Sequence, residues 1–492
     1  MGKLQSQIFL KITTVSPIIT SLYAWRFCQI LKGSAMTGVE KYSHKIVRKI
    51  RFRIPDIPGA LGTLALELGL EDVTLGDITK IQLTSNYIVR DITAFFDDES
   101  HFSRAIAAVK KLKGYKILQI QDEVLNLHKG GKIEVKPRVK VDTLTDLRMI
   151  YTPGVAQVCN YIVANPGAAK KYTSIGNTVC IATNGSAVLG LGDIGVLAAM
   201  PVMEGKSIIL NKMANVSCVP LLTKSDDADT IVNTLSCVAE TFGAIMIEDI
   251  KAPLCFEVEK KLQEKVKIPV FHDDQHGTAT VILAALIKAL GITRKRKEKV
   301  NIVINGAGAA GIATTKLLLG YGFKNITLCD RSGAIYQTRT DGMNEYKKEI
   351  AKLTNKRKEQ GSLENVIKGK DIFIGLSGPG LVTKGMVRNM NKPPVVFALA
   401  NPIPEIWPKD AGEAGAAIAL DGRTINNALV FPGLIRGTLD ANASAITEKM
   451  KFSAAEMIAS LAGKNEIVPN FMNTAVHKNV ARAVFFSAGK SK

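Results

Sequence analysis

The chain has 492 residues, of which 46% are hydrophobic and 22% charged, a balance that excludes an intrinsically disordered protein and suits roughly two to four folded domains. Lysine and arginine outnumber aspartate and glutamate by 64 to 44, which gives a formal charge of +20. No nucleic-acid-binding motif accompanies this excess, so neither a nucleic acid nor a membrane is predicted as a partner.

The N-terminal stretch is basic, since the first acidic residue is Glu40. This bias resembles an organelle transit peptide, and Met1-Gly2 with Ser6 fits a myristoylation pattern. The alternative is an upstream extension with Met36 as the working start, and in either case residues 1–43 are expected to precede the folded domains. Seven cysteines without a C-x-x-C pair favour a reduced compartment, so we expect the cytoplasm, or an organelle matrix if a transit peptide is present. The sequence contains no run of about 18 uninterrupted apolar residues, so no membrane span is predicted.

Residues 44–127 alternate strand and helix patterns in the order β-α-β-β-α-β, which predicts a ferredoxin-like domain. Its first helix follows Pro58-Gly59. The topology and this dipeptide resemble the ACT domain, a regulatory module that binds an amino acid or another small effector in many metabolic enzymes. The alternative is a dimerisation module without a ligand, because a fold alone does not determine function.

The sequence HKGGKIEVKPR, at residues 128–138, breaks both periodicities and predicts a linker into the main body. Two further α/β units follow, and we place them at residues 128–276 and 277–492. The predicted fold class is therefore α/β, with a Rossmann-type dinucleotide-binding domain and C-terminal helices in the last unit.

The pattern G-x-G-x-x-G occurs twice, as GLGDIG at residues 190–195 and as GAGAAG at residues 306–311. Only the second has the context of a dinucleotide site: a buried strand before it, a helix after it, and then a strand that ends in Asp330, which is placed for a ribose hydroxyl. The predicted nucleotide loop comprises Gly306, Ala307, Gly308, Ala309 and Gly311. No acid-ended strand is recognisable after GLGDIG, so we interpret it as a tight active-site turn.

The choice between NAD and NADP depends on Asp330, because a carboxylate repels a 2′-phosphate and so favours NAD. Arg331 beside it could offset that repulsion, which leaves NADP open. Two later strands end near Ser377, Gly378 and Asn401, and ligands of open α/β sheets bind at such ends. Asn401 could instead simply begin a turn, since Asn-Pro commonly does.

Two apolar strand-like runs, FGAIMI and PVFH, are each followed by a pair of acids, which are Glu248, Asp249, Asp273 and Asp274. Carboxylates this close repel one another unless a cation compensates them. An all-oxygen set suits Mg²⁺ or Mn²⁺. The alternatives are solvated strand ends or helix caps, and zinc on His272 and His276, which is disfavoured because no glutamate lies between them as in H-E-x-x-H. Lys206, in PVMEGKSII, is a candidate base beside such a cluster, although its spacing alone would equally suit a surface lysine.

Eight segments resemble successive motifs of the malic enzyme family, in its shorter bacterial and NAD-dependent form, and they occur in the family's order across about residues 140–440. These segments are YTPGVAQVC, NGSAVLGLGDIG, MEGKSIILNKMANV, IEDIKAP, PVFHDDQHGTA, INGAGAAG, ANPIPEI and NNALVFPGL. Together with the ferredoxin-like domain predicted at residues 44–127, the whole chain resembles an ACT-containing member of that family.

The resemblance implies oxidative decarboxylation of (S)-malate to pyruvate and CO₂ with reduction of NAD⁺, in a substrate and metal domain at 128–276 and an NAD-binding domain at 277–492. By motif, Lys206 would take the C2 hydroxyl proton with Asp273 as its charge partner, and Tyr151 would protonate C3. Asn401 and Asn427 would bind the substrate carboxylate. The resemblance also implies that Glu248, Asp249 and Asp274 are the metal ligands. The association of several domains suggests a homodimer or larger.

One departure concerns an arginine that larger family members carry before the GLGD turn, where this chain has Ser186 and Ala187. The shorter branch lacks it too, so the open question is how the second malate carboxylate is held. Three rival functions remain. They are a malolactic enzyme that yields lactate, an amino-acid dehydrogenase that needs no metal, and a regulatory binding protein without activity.

Overall fold

The computed structural model describes residues 45–188 and 190–489, and it divides into two compact units, one up to Gly130 and one from Gly131 onward. The predicted transit peptide, the myristoylation pattern and the Met36 start lie outside the described residues.

The first unit is a four-stranded antiparallel sheet with helices, and its two central strands alternate buried and partly buried side chains over most of their length. In the first strand, Ile50, Phe52 and Ile54 are buried, whereas the arginines between them are only partly buried. Its elements are β1 (Ile46–Pro55), α1 (Ala60–Leu70), β2 (Thr74–Leu83), β3 (Tyr87–Phe96), α2 (Glu99–Lys110), β4 (Lys116–Asp122) and α3 (Glu123–His128). The sheet order is β2-β3-β1-β4, so the predicted β-α-β-β-α-β order is present.

The second unit begins with helices and a parallel four-stranded sheet. Its elements are α4 (Leu144–Ile150), α5 (Gly154–Ala164), α6 (Ala169–Tyr172), β5 (Thr178–Thr183), α7 (Gly195–Ala214), β6 (Ser217–Leu222), α8 (Ala228–Val238), β7 (Ala244–Ile247), α9 (Leu254–Lys265) and β8 (Val270–His272). The sheet order is β6-β5-β7-β8, with every pair parallel. Because β7 and β8 are parallel neighbours, the acids that follow them leave the sheet at the same edge.

A one-turn π-helical segment, Asp273–Gly277, joins β8 to the long helix α10 (Thr278–Thr293). By length and composition, the run Asp273–Thr293 could cross a membrane, but 56% of its apolar window is buried inside the protein. Side chains all around α10 are buried, including Ala279, Ile282 and Leu286. Such burial is typical of a core helix in a large domain.

A six-stranded sheet follows, with the order β11-β10-β9-β12-β13-β14. The elements of this region are β9 (Asn301–Asn305), α11 (Ala309–Tyr321), β10 (Asn325–Asp330), β11 (Gly333–Ala334), α12 (Glu345–Leu353), α13 (Leu363–Val366), β12 (Ile372–Gly375), α14 (Lys384–Arg388), β13 (Val395–Ala398), α15 (Pro408–Glu413) and β14 (Ile418–Asp421). This is the Rossmann order, and only the short β11 runs antiparallel to its neighbour. The direction of winding therefore reverses between β9 and β12, where ligands of such sheets bind.

Three C-terminal helices complete the second unit: α16 (Phe431–Asp440), α17 (Glu448–Leu461) and α18 (Thr474–Ala488). Two glycines let α16 approach α18 closely. A Cβ at Gly433 would lie 2.6 Å from Val480 Cβ, and one at Gly437 would lie 2.7 Å from Val484 Cβ. Both positions therefore exclude any larger side chain without movement of a helix.

Candidate active site

Lys206 lies between two buried carboxylates of the second unit. Its Nζ is 2.6 Å from Glu248 Oε2 and 2.6 Å from Asp273 Oδ2, and both acids are completely buried. The lysine reaches them from the middle of α7, and its Nζ also lies 5.4 Å from the centre of the Phe431 ring. The structure thus brings the predicted base and its predicted charge partner together, and adds Glu248 as a second partner.

The other two acids of the cluster are joined through the backbone. Asp249 adopts a left-handed conformation with φ of 52°, and its N–H donates to Asp274 Oδ2 at 2.8 Å. The Asp249 carbonyl accepts from the N–H of Ala187 at 2.9 Å. Ser186 Oγ accepts from the N–H of Lys251 at 3.0 Å. The segment that contains Ser186 and Ala187 therefore shapes the turn that carries Glu248 and Asp249.

Burial and mutual repulsion shift the pKa values of the cluster. Burial, with the neighbouring acids, raises the pKa of Glu248 well above its ordinary value although Lys206 opposes the shift, and burial likewise raises the pKa of Asp273. For Lys206, burial would lower the pKa, but the charges of Asp273 and Glu248 outweigh it and raise the pKa well above the usual range. The carboxylates by themselves therefore favour the ammonium form of Lys206.

The donor atoms of the cluster suit a hard divalent cation. Glu248 Oε1 and Asp273 Oδ1 are buried and accept no hydrogen bond from the described part of the chain. The four carboxylates outnumber the single lysine, and oxygen donors are those that Mg²⁺ and Mn²⁺ prefer. Within residues 45–188 and 190–489, however, no three His, Cys, Asp or Glu side chains are arranged as they would be around a bound metal ion.

The two histidines of this segment diverge. His272 is fully buried, with its Nδ1 3.9 Å from Asp274 Oδ2, whereas His276 contacts Glu259. Glu259 was not recognised in the sequence, yet its carboxylate accepts from the backbone N–H of His272 at 3.1 Å and from Gln275 Nε2 at 2.9 Å. Its place on the amphipathic helix α9 gave no signal that set it apart from the other acids there.

Asn427 and Tyr151 are placed differently from one another. Asn427 Nδ2 donates to Asp273 Oδ2 at 2.7 Å, so it lies in the cluster but contacts an acid that the sequence did not predict as its partner. Tyr151, at the end of α4, is 67% exposed, so the structure does not bury it with Lys206.

The loop GAGAAG lies where β9 ends and α11 begins. Gly306 has a φ of +123°, and a Cβ there would lie 2.3 Å from the Leu376 carbonyl oxygen. A Cβ at Gly311 would lie 1.7 Å from the carbonyl oxygen of Gly306. Gly308 caps the helix, and Ala309 is its first residue, with Ala307 partly buried beside them. These contacts explain why Gly306 and Gly311 are glycines. The first N–H groups of α11 are directed out of the loop.

Asp330 ends β10 as predicted, but two cations already bind it. Arg339 Nη2 lies 2.7 and 2.9 Å from the two carboxylate oxygens, and Lys347 Nζ lies 2.7 Å from Oδ2. Burial opposes ionisation, but the hydrogen bonds from Lys347 and Arg339 outweigh it and lower the pKa of Asp330. The sequence suggested Arg331 for this role and missed both actual partners.

Ser377 and Asn401 lie in loops at the carboxyl ends of β12 and β13. Ser377 Oγ accepts from Asn305 Nδ2 at 2.8 Å, which ties the loop to β9. The buried carboxylate of Glu405 accepts from the N–H groups of Ser377 at 3.0 Å and of Ala400 at 3.1 Å. Glu405, another residue that the sequence did not single out, therefore fixes both loops in position.

The first glycine pattern forms a tight turn rather than a phosphate loop. Gly190, Gly192 and Gly195 all have positive φ, and a Cβ at Gly190 would lie 3.4 Å from the carbonyl oxygen of Asn401. A strand does follow, since α7 leads into β6, which pairs parallel with β5, but as predicted it is not acid-ended. That strand ends at Leu222, so it carries no acid for a ribose.

Comparisons with known proteins agree with this arrangement. The sequence-family model for the malic enzyme N-terminal domain matches residues 130–226. The family model for the malic enzyme NAD-binding domain matches residues 275–488. The chain is 46% identical to the NAD-dependent malic enzyme of Geobacillus stearothermophilus, over 84% of this chain and 89% of that one. It is also 46% identical to the bifunctional malic/malolactic enzyme of Bacillus subtilis, over 76% and 93% of the respective chains.

The fold agrees with a solved relative as well. A crystal structure of the NAD-dependent malic enzyme of Thermotoga maritima matches with a TM-score of 0.71 and 41% identity, over 73% of this chain and 98% of that one. Similarity of this extent in both sequence and fold leads to one conclusion, that this chain belongs to the malic enzyme family.

Proposed function

We propose that this protein oxidatively decarboxylates (S)-malate to pyruvate and CO₂ while it reduces NAD⁺, as the name of its NAD-dependent relatives suggests. The observation that carries the proposal is the contact of Lys206 Nζ, at 2.6 Å, with both Glu248 and Asp273. A lysine held by two buried carboxylates is arranged to exchange a proton in a site shielded from water.

The proposed roles follow the family motifs residue by residue. Lys206 takes the proton of the C2 hydroxyl, and Asp273 orients its ammonium, with Asn427 holding the same carboxylate oxygen. Tyr151 protonates C3 of the enol that decarboxylation leaves. The loop Gly306–Gly311 binds the cofactor pyrophosphate, and the chain near Ser377 and Asn401 borders the nicotinamide end.

Glu248, Asp249 and Asp274 are proposed to hold a divalent cation, Mg²⁺ or Mn²⁺. Such a cation supplies Lewis-acid polarisation of the substrate oxygens. Its positive charge would also reduce the charge excess that raises the pKa of Lys206. We expect Mn²⁺ titration followed by electron paramagnetic resonance to show at least about ten-fold weaker binding in Glu248→Gln. Glu257→Gln, an exposed acid on α9, is the control, and equal Mn²⁺ affinity in the Glu248 variant and wild type would contradict the assignment.

The function is tested by absorbance of NADH in a mixture of enzyme, malate, Mn²⁺ and NAD⁺. We expect malate-dependent NADH that disappears when EDTA removes the metal and returns when Mn²⁺ is added. An amino-acid dehydrogenase would produce NADH only with an amino acid in place of malate and would retain that activity in EDTA, and a binding protein would produce no NADH with either substrate.

A second candidate, the malolactic reaction, is favoured by one relative, the bifunctional malic/malolactic enzyme of B. subtilis. Both reactions need the same cofactor and metal, but the malolactic reaction releases lactate without net reduction of NAD⁺. Chromatography of the products separates them.

Cofactor choice is proposed to depend on the two cations at Asp330. In Lys347→Ala, one of them is lost, so the carboxylate repels a 2′-phosphate more strongly. We expect the ratio of kcat/KM for NADP⁺ to that for NAD⁺ to fall by about ten-fold, which corresponds to ~1.4 kcal/mol. Lys356→Ala, an exposed lysine in the same domain, is the control. A ratio that stays constant would show that Lys347 does not influence the choice, and a ratio that rises would contradict the proposed direction of its effect.

The first unit is proposed to be an ACT-like regulatory domain, on the basis of its ferredoxin-like order and Pro58-Gly59. The alternative of a dimerisation module is supported by exposed apolar side chains on strands β2 and β4, such as Ile81, Leu83 and Leu118. Equilibrium dialysis against a pool of amino acids distinguishes them, since binding of one amino acid supports regulation. The domain limits 44–127, 128–276 and 277–492 and the cytoplasmic location also remain predictions.

A homo-oligomer is proposed because α4 and α5 have no buried residue, although they carry large apolar side chains. Leu144, Met149, Tyr151, Tyr161 and Val163 are all at least 50% exposed. A second copy of the chain that covers this surface would remove the exposed apolar area from water. Sedimentation velocity should give a dimer or larger species, and a monomer at assay concentration would contradict this.

A further inference from the structure

A cavity of about 920 Å³ lies apart from Lys206 and its carboxylates, within the range of small-molecule sites. Its wall comes from α9 of the parallel four-stranded sheet region and from α11, α12 and α17. The residues that matter are Glu259, Lys260, His276, Lys352, Glu448 and Lys451. None of them was assigned a role in binding malate, metal or cofactor.

Lys451 is a buried cation in this cavity, with only 8% of its surface exposed. Its Nζ hydrogen-bonds His276 Nδ1 at 3.3 Å, and within the described residues no carboxylate forms an ion pair with it. Burial lowers the pKa of Lys451, which reflects the unfavourable environment of its charge. Glu259 and Glu448 attract this charge without forming an ion pair with it, and an anion that reaches the ammonium directly would stabilise it further.

The charge of the remaining lining indicates what anion would fit. Two lining lysines already form ion pairs, Lys316 with Glu349 at 2.9 Å and Lys348 with Glu345 at 3.3 Å. Lys260 and Lys352 form no ion pair with the described residues, and neither does Glu448. Glu259 pairs with no lysine either. Apart from His276, the lining therefore holds five lysines and four glutamates, which leaves one positive charge in excess.

Glu259 connects the cavity to the catalytic carboxylates. It accepts from His276 Nε2 at 3.1 Å and Gln275 Nε2 at 2.9 Å, on the cavity side of the turn Asp273–Gly277. On the other side of the same turn, Asp273 contacts Lys206 and Asn427. A five-residue turn held on both sides cannot shift at His276 without shifting Asp273.

We propose that this cavity is a second ligand site for a small anion, a phosphate or a dicarboxylate, and that its occupancy is coupled to Asp273 through Lys451, His276 and Glu259. The bound anion pairs with Lys451 and changes the hydrogen bond between Lys451 and His276. Because His276 and Glu259 hold the turn, this change reaches Asp273 and alters malate binding. The inference rests on the proposed function, since malate turnover reports the coupling.

Binding is measured by calorimetry on the full chain saturated with NAD⁺, with inorganic phosphate and with succinate in separate titrations. We expect at least one of them to bind wild type and to bind Lys451→Met at least about ten-fold more weakly. Since Lys451 is buried and its replacement could impair folding, the exposed variant Lys352→Glu is titrated too and is expected to bind several-fold more weakly. Lys478→Met, an exposed lysine outside the cavity, should bind as wild type does. Which anion binds identifies the ligand class.

Coupling is measured as the malate KM at saturating NAD⁺, with and without the anion. We expect a change of about five-fold or more in wild type and none in Lys451→Met, and malate should change the affinity for the anion by the same factor. The proposal is overturned if neither anion binds, if Lys451→Met and Lys352→Glu bind as tightly as wild type, or if a bound anion leaves KM unchanged. Absence of turnover without any anion would instead contradict the proposed function.

Discussion

Lys206→Ala is expected to lower kcat for malate-dependent NAD⁺ reduction by about 10²- to 10⁴-fold, the usual contribution of a positioned acid or base. The variant removes the group that exchanges the C2 hydroxyl proton and leaves Glu248 and Asp273 buried without their counter-charge. Steady-state kinetics of NADH formation give kcat, and circular dichroism verifies that the variant is folded.

The matched control is Lys212→Ala, an exposed lysine on the same helix, α7, which should keep kcat within about two-fold of wild type. If the Lys206 variant retained full kcat, the base would have to be another residue, and the proposed mechanism would be wrong.

Gly277→Ala is expected to lower kcat by about 10²-fold, because it displaces a catalytic carboxylate by a large fraction of an ångström or more. A Cβ at this position would lie 1.9 Å from Asp273 Oδ1 and 3.3 Å from Asn427 Cβ. Asp273 cannot swing away freely, since Lys206 and Asn427 both hold its other oxygen. The loss should appear in kcat and not only in KM, since the displaced group acts on the reacting lysine.

Gly291→Ala is the control for a glycine replacement. Gly291 lies near the end of α10, the helix that begins directly after Gly277. No atom lies within 4 Å of a Cβ at Gly291, and alanine favours a helix more than glycine does. It should keep wild-type kcat with equal or higher thermal stability. A Gly277 variant with unchanged kcat would mean that the turn can relax and that the position of Asp273 is not critical.

Much of the site could be predicted because its residues follow local patterns. Each acid pair comes directly after an apolar strand, and parallel neighbouring strands bring such positions together, so the convergence of Glu248 and Asp273 is expected from elementary sheet geometry. The GAGAAG loop and Asp330 are likewise recognised from the strand, helix and strand around them.

The partners of these residues could not be predicted, because they depend on tertiary contacts. Asn427 lies 154 positions from Asp273, and Arg339 and Lys347 reach Asp330 from a loop and a helix that carry no motif. Glu259 looks like any acid on an amphipathic helix until the fold places His276 and Gln275 against it. Motifs indicate which groups react, whereas packing decides which groups hold them.

Tyr151 differs from these residues because its motif is clear and its side chain is exposed. The sequence match assigns it the role of acid, but a proton donor works best when water is excluded. A partner chain over α4 and α5 would supply that exclusion, so the oligomer and the acid role are connected proposals.

The most direct test of the central claim is the stoichiometry of products from malate and NAD⁺ with Mn²⁺ present. The account predicts one pyruvate, one CO₂ and one NADH for each malate consumed, measured together by chromatography, trapped CO₂ and absorbance. Malate converted to lactate and CO₂ without net NADH, or malate left unconsumed by the folded protein, would contradict it.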